Sequence, residues 1–287
     1  MASQLRPKYP VFVMCGRDAK RRKLLQVLDP EGRYKSKALL PFLGKRVIDW
    51  QLDELRLCPY VEDLYVVGLA EEDAPFEYPV HYVPTETTAD VPDKLMDGLA
   101  YLSSLGKSPH MVVISTSDAP AMQLRSINEF FERLTDYQDY DLVLSLVPEQ
   151  VIKEWFPQSG RVIARFRDHQ VFPGELYALS ARAIRTGQAV IHELNRRRRE
   201  IDRQRQNISV GPITRYLARK PQAWLTLLKF ALRRATLEDA ERAFSAAFHC
   251  RTKAIIIPDA GFGMDMDLPE DYERLEDLVK RTRHLKG

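Results

Sequence analysis

The chain has 287 residues, 45% hydrophobic and 29% charged, with a formal net charge of +3; this is the composition of a globular protein able to bury one large α/β domain, or a domain with a sizeable insertion. So small a basic surplus does not support bulk nucleic-acid binding, and no stretch approaches the ~20 apolar residues that span a bilayer, so neither nucleic acid nor a membrane is an expected partner. The three cysteines, Cys15, Cys58 and Cys250, are odd in number and lack C-x-x-C spacing, which argues against a disulfide framework or zinc site and for a reducing cytoplasm; the polar MASQLRPKYP start, with two prolines, is not expected to be a signal peptide.

The apolar run Val11–Cys15 predicts a first strand, and Gly16 with the basic RDAKRRK that follows is a candidate phosphate cradle. Backbone N–H groups would face the anion, and Arg17, Lys20, Arg21, Arg22 and Lys23 would add charge. The alternative is a solvated basic turn, because one glycine is a weak signature. Lys37 opens KALLPFLGKRVIDW, whose glycine turn at Gly44 leads into a helix over Val47–Leu57. That order brings an ammonium near the same loop, where lysine serves phosphate as a point charge; an exposed lysine before a strand-like run is the alternative.

Strands follow at Leu64–Gly68, Val80–Val83, Met111–Thr116 and Leu142–Val147, with amphipathic helices at Val91–Leu105 and Leu124–Thr135. The early strands are nearly continuous in Val, Ile and Leu, as strands covered on both faces of a mainly parallel sheet are. Alternation of this kind implies βαβ units, hence a three-layer α/β architecture with ligands beyond the carboxyl ends of the strands. Asp118 stands at such an end, before Ala119-Pro120, and is a candidate metal ligand; a helix N-cap is the alternative.

The second half predicts strands at Arg161–Arg165 and Glu175–Leu179, a long basic helix over Ala181–Asn207 and two helices within Ile213–Phe248, then a strand at Ala254–Ile257 and a helix over Pro269–His284. The chain accordingly divides into a nucleotide-binding core over 1–150, a substrate-side helical insertion over 151–250, and the last strand and closing helix of the core over 251–287. The run NRRRREIDRQRQ (Asn195–Gln206) reads as a solvated helix face, its alternatives being an RNA, membrane or polyanion contact or a site for a phosphorylated acceptor. Trp224–Phe244 reads as core packing, with dimer or lid contact as the alternative. In the closing DMDLPED, Asp265 and Asp267 alternate, so an extended segment turns both one way; Asp267, or Asp265, is left to face a metal. Pro269, Glu270 and Asp271 suit the first turn of a helix.

Together these segments resemble the MobA-like NTP transferases, the family of molybdopterin guanylyltransferases and sugar-phosphate nucleotidyltransferases. VFVMCG followed by SKALLPFLGKRVIDWQLDEL resembles the family's opening, with Lys37, Leu39 and Gly44 on its lysine-to-glycine stretch. ISTSDAP and DMDLPEDYERL resemble its two metal-binding segments, and PGELYALSARAI with Arg219-Lys220-Pro221 resembles an uncharacterised, divergent branch. The chain departs from the pattern in its loop, which has no second glycine before Gly32, in Lys45-Arg46 after Gly44, in Glu175 and in Leu268.

The resemblance implies a Rossmann-like nucleotidyltransferase fold and an Mg²⁺-dependent transfer of a nucleoside monophosphate from an NTP to a small phosphorylated or hydroxyl acceptor. It implies that Asp118 and Asp267, with Asp265 beside it, hold Mg²⁺, and that Lys37 and Arg17 act with Asp118 in catalysis. It places Cys15, Gly16, Arg17 and Lys37 at the nucleotide, with Thr85 and Asp93 near the base. A monomer or homodimer is expected. The alternative function is a non-catalytic nucleotide-binding or regulatory protein that keeps the fold.

Overall fold

The structure is a computed structural model that describes residues 6–16, 23–86, 89–157, 163–188 and 218–284. Among them, eight strands form one sheet. Chain order gives β1 (Tyr9–Met14), α1 (Lys23–Leu28), the short hairpin β2 (Pro41–Phe42) and β3 (Lys45–Arg46), α2 (Val47–Leu55), β4 (Val61–Val67), β5 (His81–Val83), α3 (Val91–Ser104), β6 (Met111–Thr116), α4 (Leu124–Leu134), β7 (Leu142–Pro148) and α5 (Glu149–Trp155). After these come β8 (Ala164–Arg165) and β9 (Gln170–Ser180), then a helical segment over 181–188, α6. The rest is α7 (Trp224–Ala231), α8 (Leu237–Phe248), β10 (Thr252–Ile256) and α9 (Pro269–Thr282).

The sheet order is β10-β7-β9-β6-β1-β4-β5, with β8 paired to β9. Strand β1 runs parallel to both β4 and β6, β4 is parallel to β5, and β10 is parallel to β7. Only β9 runs the other way, antiparallel to β6 and β7 on its two sides and to its short partner β8. Residues 170–180, which the sequence division puts in the insertion, therefore stand in the middle of the sheet.

Successive strand residues point to opposite faces, and here they fill two cores. Val11 and Val13, Leu64 and Val66, and Met111 and Val113 face α2, α4 and α9. Phe12, Tyr65, Val67, Val112 and Ile114 face α3 and α6. Helix α3 comes close enough for this because of Gly98: a Cβ there would lie 2.5 Å from the Phe12 ring. Helix α1 is an element that the basic loop did not suggest, and its Leu24 and Leu25 are buried. Of the strand expected at Arg161–Arg165, the described part is β8, and of the long helix over Ala181–Asn207 the described part is α6; residues 189–207 lie outside the described residues.

The amino-terminal edge of the sheet is tied by one buried acid. Asp141 accepts from the Arg251 N–H at 2.9 Å, the Ser180 hydroxyl at 2.8 Å and the Arg182 Nε at 3.1 Å. Burial works against its charge, but those donors outweigh it and hold the carboxyl below the usual range.

Gly98→Val is the sharpest test of the α3 contact. The fully buried Phe12 ring has no room to yield, so overpacking should cost about 1–3 kcal/mol. Urea unfolding measures it; an unchanged midpoint would mean that α3 does not approach β1 so closely.

Candidate active site

Strand β6 delivers Asp118 to the crevice edge, and a buried amide holds it there. Gln51 of α2 accepts from the Ala119 N–H at 3.3 Å and donates to the Thr116 carbonyl at 2.7 Å and to the Ser115 hydroxyl. Both ends of the peptide carrying Ser117 and Asp118 are thus pinned to α2, and the Asp118 carboxylate is buried.

The second acidic segment reaches the same point through a tight passage. After β10, Asp259 accepts from the Gly261 N–H at 2.9 Å and from the Ser126 hydroxyl. A Cβ on Gly261 would sit 2.1 Å from the Ala121 carbonyl oxygen, so only glycine lets the chain pass. The Met266 N–H then donates to the Asp118 carbonyl at 3.0 Å. Met264 and Met266 turn into the core, and the period of two sends Asp265 and Asp267 the other way. One carboxylate oxygen each from Asp118, Asp265 and Asp267 lies within 4.8 Å of the others. Asp271 caps α9, as its position suggests, accepting from the Leu268 N–H at 2.9 Å and the Asp267 N–H at 3.3 Å.

Lys37 stands on a 3₁₀ turn, Lys37–Leu39, capped by Ser36. Its ammonium pairs with both Asp118 and Asp267. Burial opposes that charge, but Asp118, Asp267 and Asp265 outweigh it and hold the lysine above its usual range. Three carboxylates against one ammonium leave a formal charge of minus two. Hard oxygen donors with that deficit fit a divalent ion such as Mg²⁺. The structure thus brings Lys37, Asp118, Asp265 and Asp267 into one cluster.

The Cys15–Gly16 turn follows β1. The Cys15 N–H donates to Val67 at 2.8 Å, and the Cys15 carbonyl accepts from the Lys94 ammonium at 2.6 Å. Gly68, at φ +104°, allows this approach, since a Cβ there would lie 2.3 Å from the Cys15 oxygen. Burial pushes the Cys15 thiol up to about 12, against weaker opposing effects of Ser117 and Lys94, so it is no nucleophile near neutral pH. Thr85 is half-buried in the loop after β5. Asp93 accepts from the Asp90 N–H at 3.2 Å in a capping bond at the start of α3. Arg17 lies outside the described residues, as do Lys20, Arg21, Arg22 and Asn195–Gln206.

Gln51, Lys94 and Gly68 are site-building residues that the sequence did not single out. Gln51 carried a usable signal, a polar residue on the apolar stripe of Ile48, Leu52 and Leu55. Lys94 carried none, because its partner is a backbone carbonyl 79 residues away.

Removing the ammonium tests the electrostatics. The charged form of Lys37 is favoured in the folded chain, so its stabilisation is fully present below the usual lysine value of ~10.4, including near neutral pH, and is lost progressively as pH rises from there through the raised folded value. Lys37→Met should therefore lose about 3 kcal/mol near neutral pH. Added Mg²⁺ should raise its melting temperature more than the wild type's, because the ion meets the acids without a competitor. Equal melting temperatures, or an equal response to Mg²⁺, would refute this balance.

No family model matches the chain, and no curated protein does. Solved structures do. A hypothetical transferase from Thermus thermophilus is 21% identical with a TM-score of 0.67, covering 93% of this chain and 99% of its own. A Methanothermobacter nucleotidyl transferase is 15% identical with a TM-score of 0.54, covering 96% and 99%. A CMP:2-keto-3-deoxy-manno-octonic acid synthetase complexed with CTP is 11% identical with a TM-score of 0.51, covering 96% and 99%. With its mostly parallel sheet and helices on both faces, the chain has the Rossmann-like nucleotidyltransferase fold.

Proposed function

We propose that the chain is an Mg²⁺-dependent nucleotidyltransferase that moves a nucleoside monophosphate from an NTP to a small phosphorylated or hydroxyl acceptor. The observation that carries this is the meeting of Asp118, Asp265, Asp267 and Lys37 at the crevice edge. The fold supports it, since that edge is where open α/β sheets bind ligands, and the named neighbours include two nucleotide-transferring or nucleotide-bound enzymes.

The reaction joins an acceptor oxygen to the α-phosphorus and breaks the bond to the bridging oxygen, so that pyrophosphate leaves; a phosphate acceptor attacks already ionised, and a hydroxyl acceptor would give its proton to solvent. Such chemistry rests on alignment and charge neutralisation rather than on a covalent intermediate. Asp118, Asp265 and Asp267 would hold the Mg²⁺, which supplies Lewis-acid stabilisation of the phosphate charge. Lys37 would serve phosphate directly: its ammonium, shared between Asp118 and Asp267, would exchange one carboxylate for a phosphate oxygen. The Cys15–Gly16 turn, held by Lys94, and Arg17 beyond it would receive the triphosphate. The loop from Thr85 to Asp93 would flank the base, through its backbone and Thr85, because the Asp93 carboxylate already caps α3. Gln51 touches no substrate in this scheme; it positions Asp118 through the backbone.

The loop after Gly16 has no further glycine before Gly32, which favours a second reading, a nucleotide-binding protein without turnover. Thermal shift with each of the four NTPs, with and without Mg²⁺, and pyrophosphate release with phosphorylated acceptors separate the two. The transferase reading expects stabilisation by one NTP that needs Mg²⁺, and turnover that falls ~10²–10³-fold in Asp118→Ala. Full activity in Asp118→Ala would sink the metal assignment. A nucleotide-dependent shift with no pyrophosphate from any acceptor would select the non-catalytic reading.

A further inference from the structure

Helix α7 has two apolar faces, and the fold covers one. On the inward side Leu227 packs with Ala223, Ala243, Ala247, Phe244 and Phe248, and the Phe230 ring lies 6.2 Å from Phe166. This half agrees with the core packing expected for Trp224–Phe244. On the outward side Trp224, Leu225, Leu228 and Leu232 are 59%, 66%, 57% and 57% exposed. At the α-helical repeat of about 100° per residue these four share one stripe about 100° wide.

The rim of that stripe is cationic. From Ala218 to Ala235 the chain carries Arg219, Lys220, Lys229, Arg233 and Arg234 and no acid. Lys229 reaches Asp239 on α8 at 2.7 Å, while Arg219, Arg233 and Arg234 are exposed beyond the two ends of α7. Tryptophan and leucine on one side with cations around them is the pattern of a helix that lies in a membrane interface. The eight residues of α7 cannot cross a bilayer, and no described helix is long and apolar enough to do so.

We propose that the outward face of α7 docks the protein on an anionic bilayer surface, with Trp224, Leu225, Leu228 and Leu232 entering the headgroup boundary and Arg219, Arg233 and Arg234 meeting lipid phosphates. A second copy of the chain fits this face less well. A two-fold contact would set the same patch against itself, and the arginines at the two ends of the helix, Arg219, Arg233 and Arg234, would then repel their copies. Nucleic acid fits less well too, because leucines neither stack on bases nor bond to phosphate. The placement also suits a transferase. Arg167 donates its N–H to the Ala235 carbonyl at 2.8 Å, and Asp168 accepts from the Leu237 N–H at 3.0 Å. These bonds fix the α7–α8 turn to the β8–β9 hairpin, and the start of β9 pairs with the carboxyl end of β7, on the same edge of the sheet as Asp118.

Flotation of the full chain with vesicles tests this independently of any turnover. Vesicles of phosphatidylcholine and phosphatidylglycerol should carry the protein, vesicles of phosphatidylcholine alone should carry several-fold less, and salt should release it. The emission of Trp224 should shift to the blue on binding, and Trp224→Phe should lose that shift. Leu225→Gln/Leu228→Gln, both at exposed positions, should cut the bound fraction about tenfold with an unchanged melting temperature. Arg233→Gln/Arg234→Gln should weaken binding to the anionic vesicles and flatten the salt dependence. Failure of the wild type to float with either vesicle would overturn the proposal, as would equal flotation of the leucine double variant. So would a vesicle-free dimer that the same variant converts to monomer, since a second copy would then own the face.

Discussion

Two unit charges 4 Å apart interact by ~4 kcal/mol at an effective dielectric of ~20, and three carboxylates stand nearly that close where the loop after β6 meets the segment before α9. Like charges so placed repel, and the repulsion would push the two segments apart. Three features oppose it. The Met266 N–H bonds the Asp118 carbonyl, burial of Met264 and Met266 anchors the second segment, and the Lys37 ammonium stands between Asp118 and Asp267. The cluster is therefore held by forces outside the acids themselves, as the proposed cation site requires.

Much of the surrounding fold serves that meeting. The parallel strands β1, β4, β5 and β6 open their loops on one edge, so Cys15, Gly68, Thr85 and Asp118 line that edge although distant in sequence. Glycine sets the closeness at two places, Gly68 against the Cys15 carbonyl and Gly261 against the Ala121 carbonyl. The Gln51 clamp is worth little as three hydrogen bonds, but it gives the Thr116 carbonyl and the Ala119 N–H their partner, and leaving such buried groups unpaired is where the larger penalty lies.

How much of this was legible depended on whether the cause was local. Lys37, Asp118 and the alternating Asp265 and Asp267 each follow or precede an apolar run in a pattern that short-range geometry fixes, and the structure brings all four together. The strands of the first half read plainly because apolar burial on both faces leaves continuous Val and Ile. Strand β9 was placed less well: its residues showed extended character, but its antiparallel position between β6 and β7 comes from pairings made across the chain, which periodicity does not encode. Capping explains Asp93 in the same way, because an acid at the third position of a helix serves the backbone before it serves a ligand. Helix α7 was ambiguous because TLLKFAL is apolar nearly all round, and sequence alone does not say which side the fold covers.

The most direct measurement is Mn²⁺ binding, followed by electron paramagnetic resonance as a stand-in for Mg²⁺, on the wild type, Asp118→Asn and Asp267→Asn. The three-carboxylate site predicts one ion per chain in the wild type, weakened at least ~10-fold by either substitution, with binding strengthened by the matching NTP. Equal Mn²⁺ affinity in all three proteins would contradict it, and would leave the meeting of Asp118, Asp265, Asp267 and Lys37 as an ion-pair cluster that holds the closing segment to the sheet.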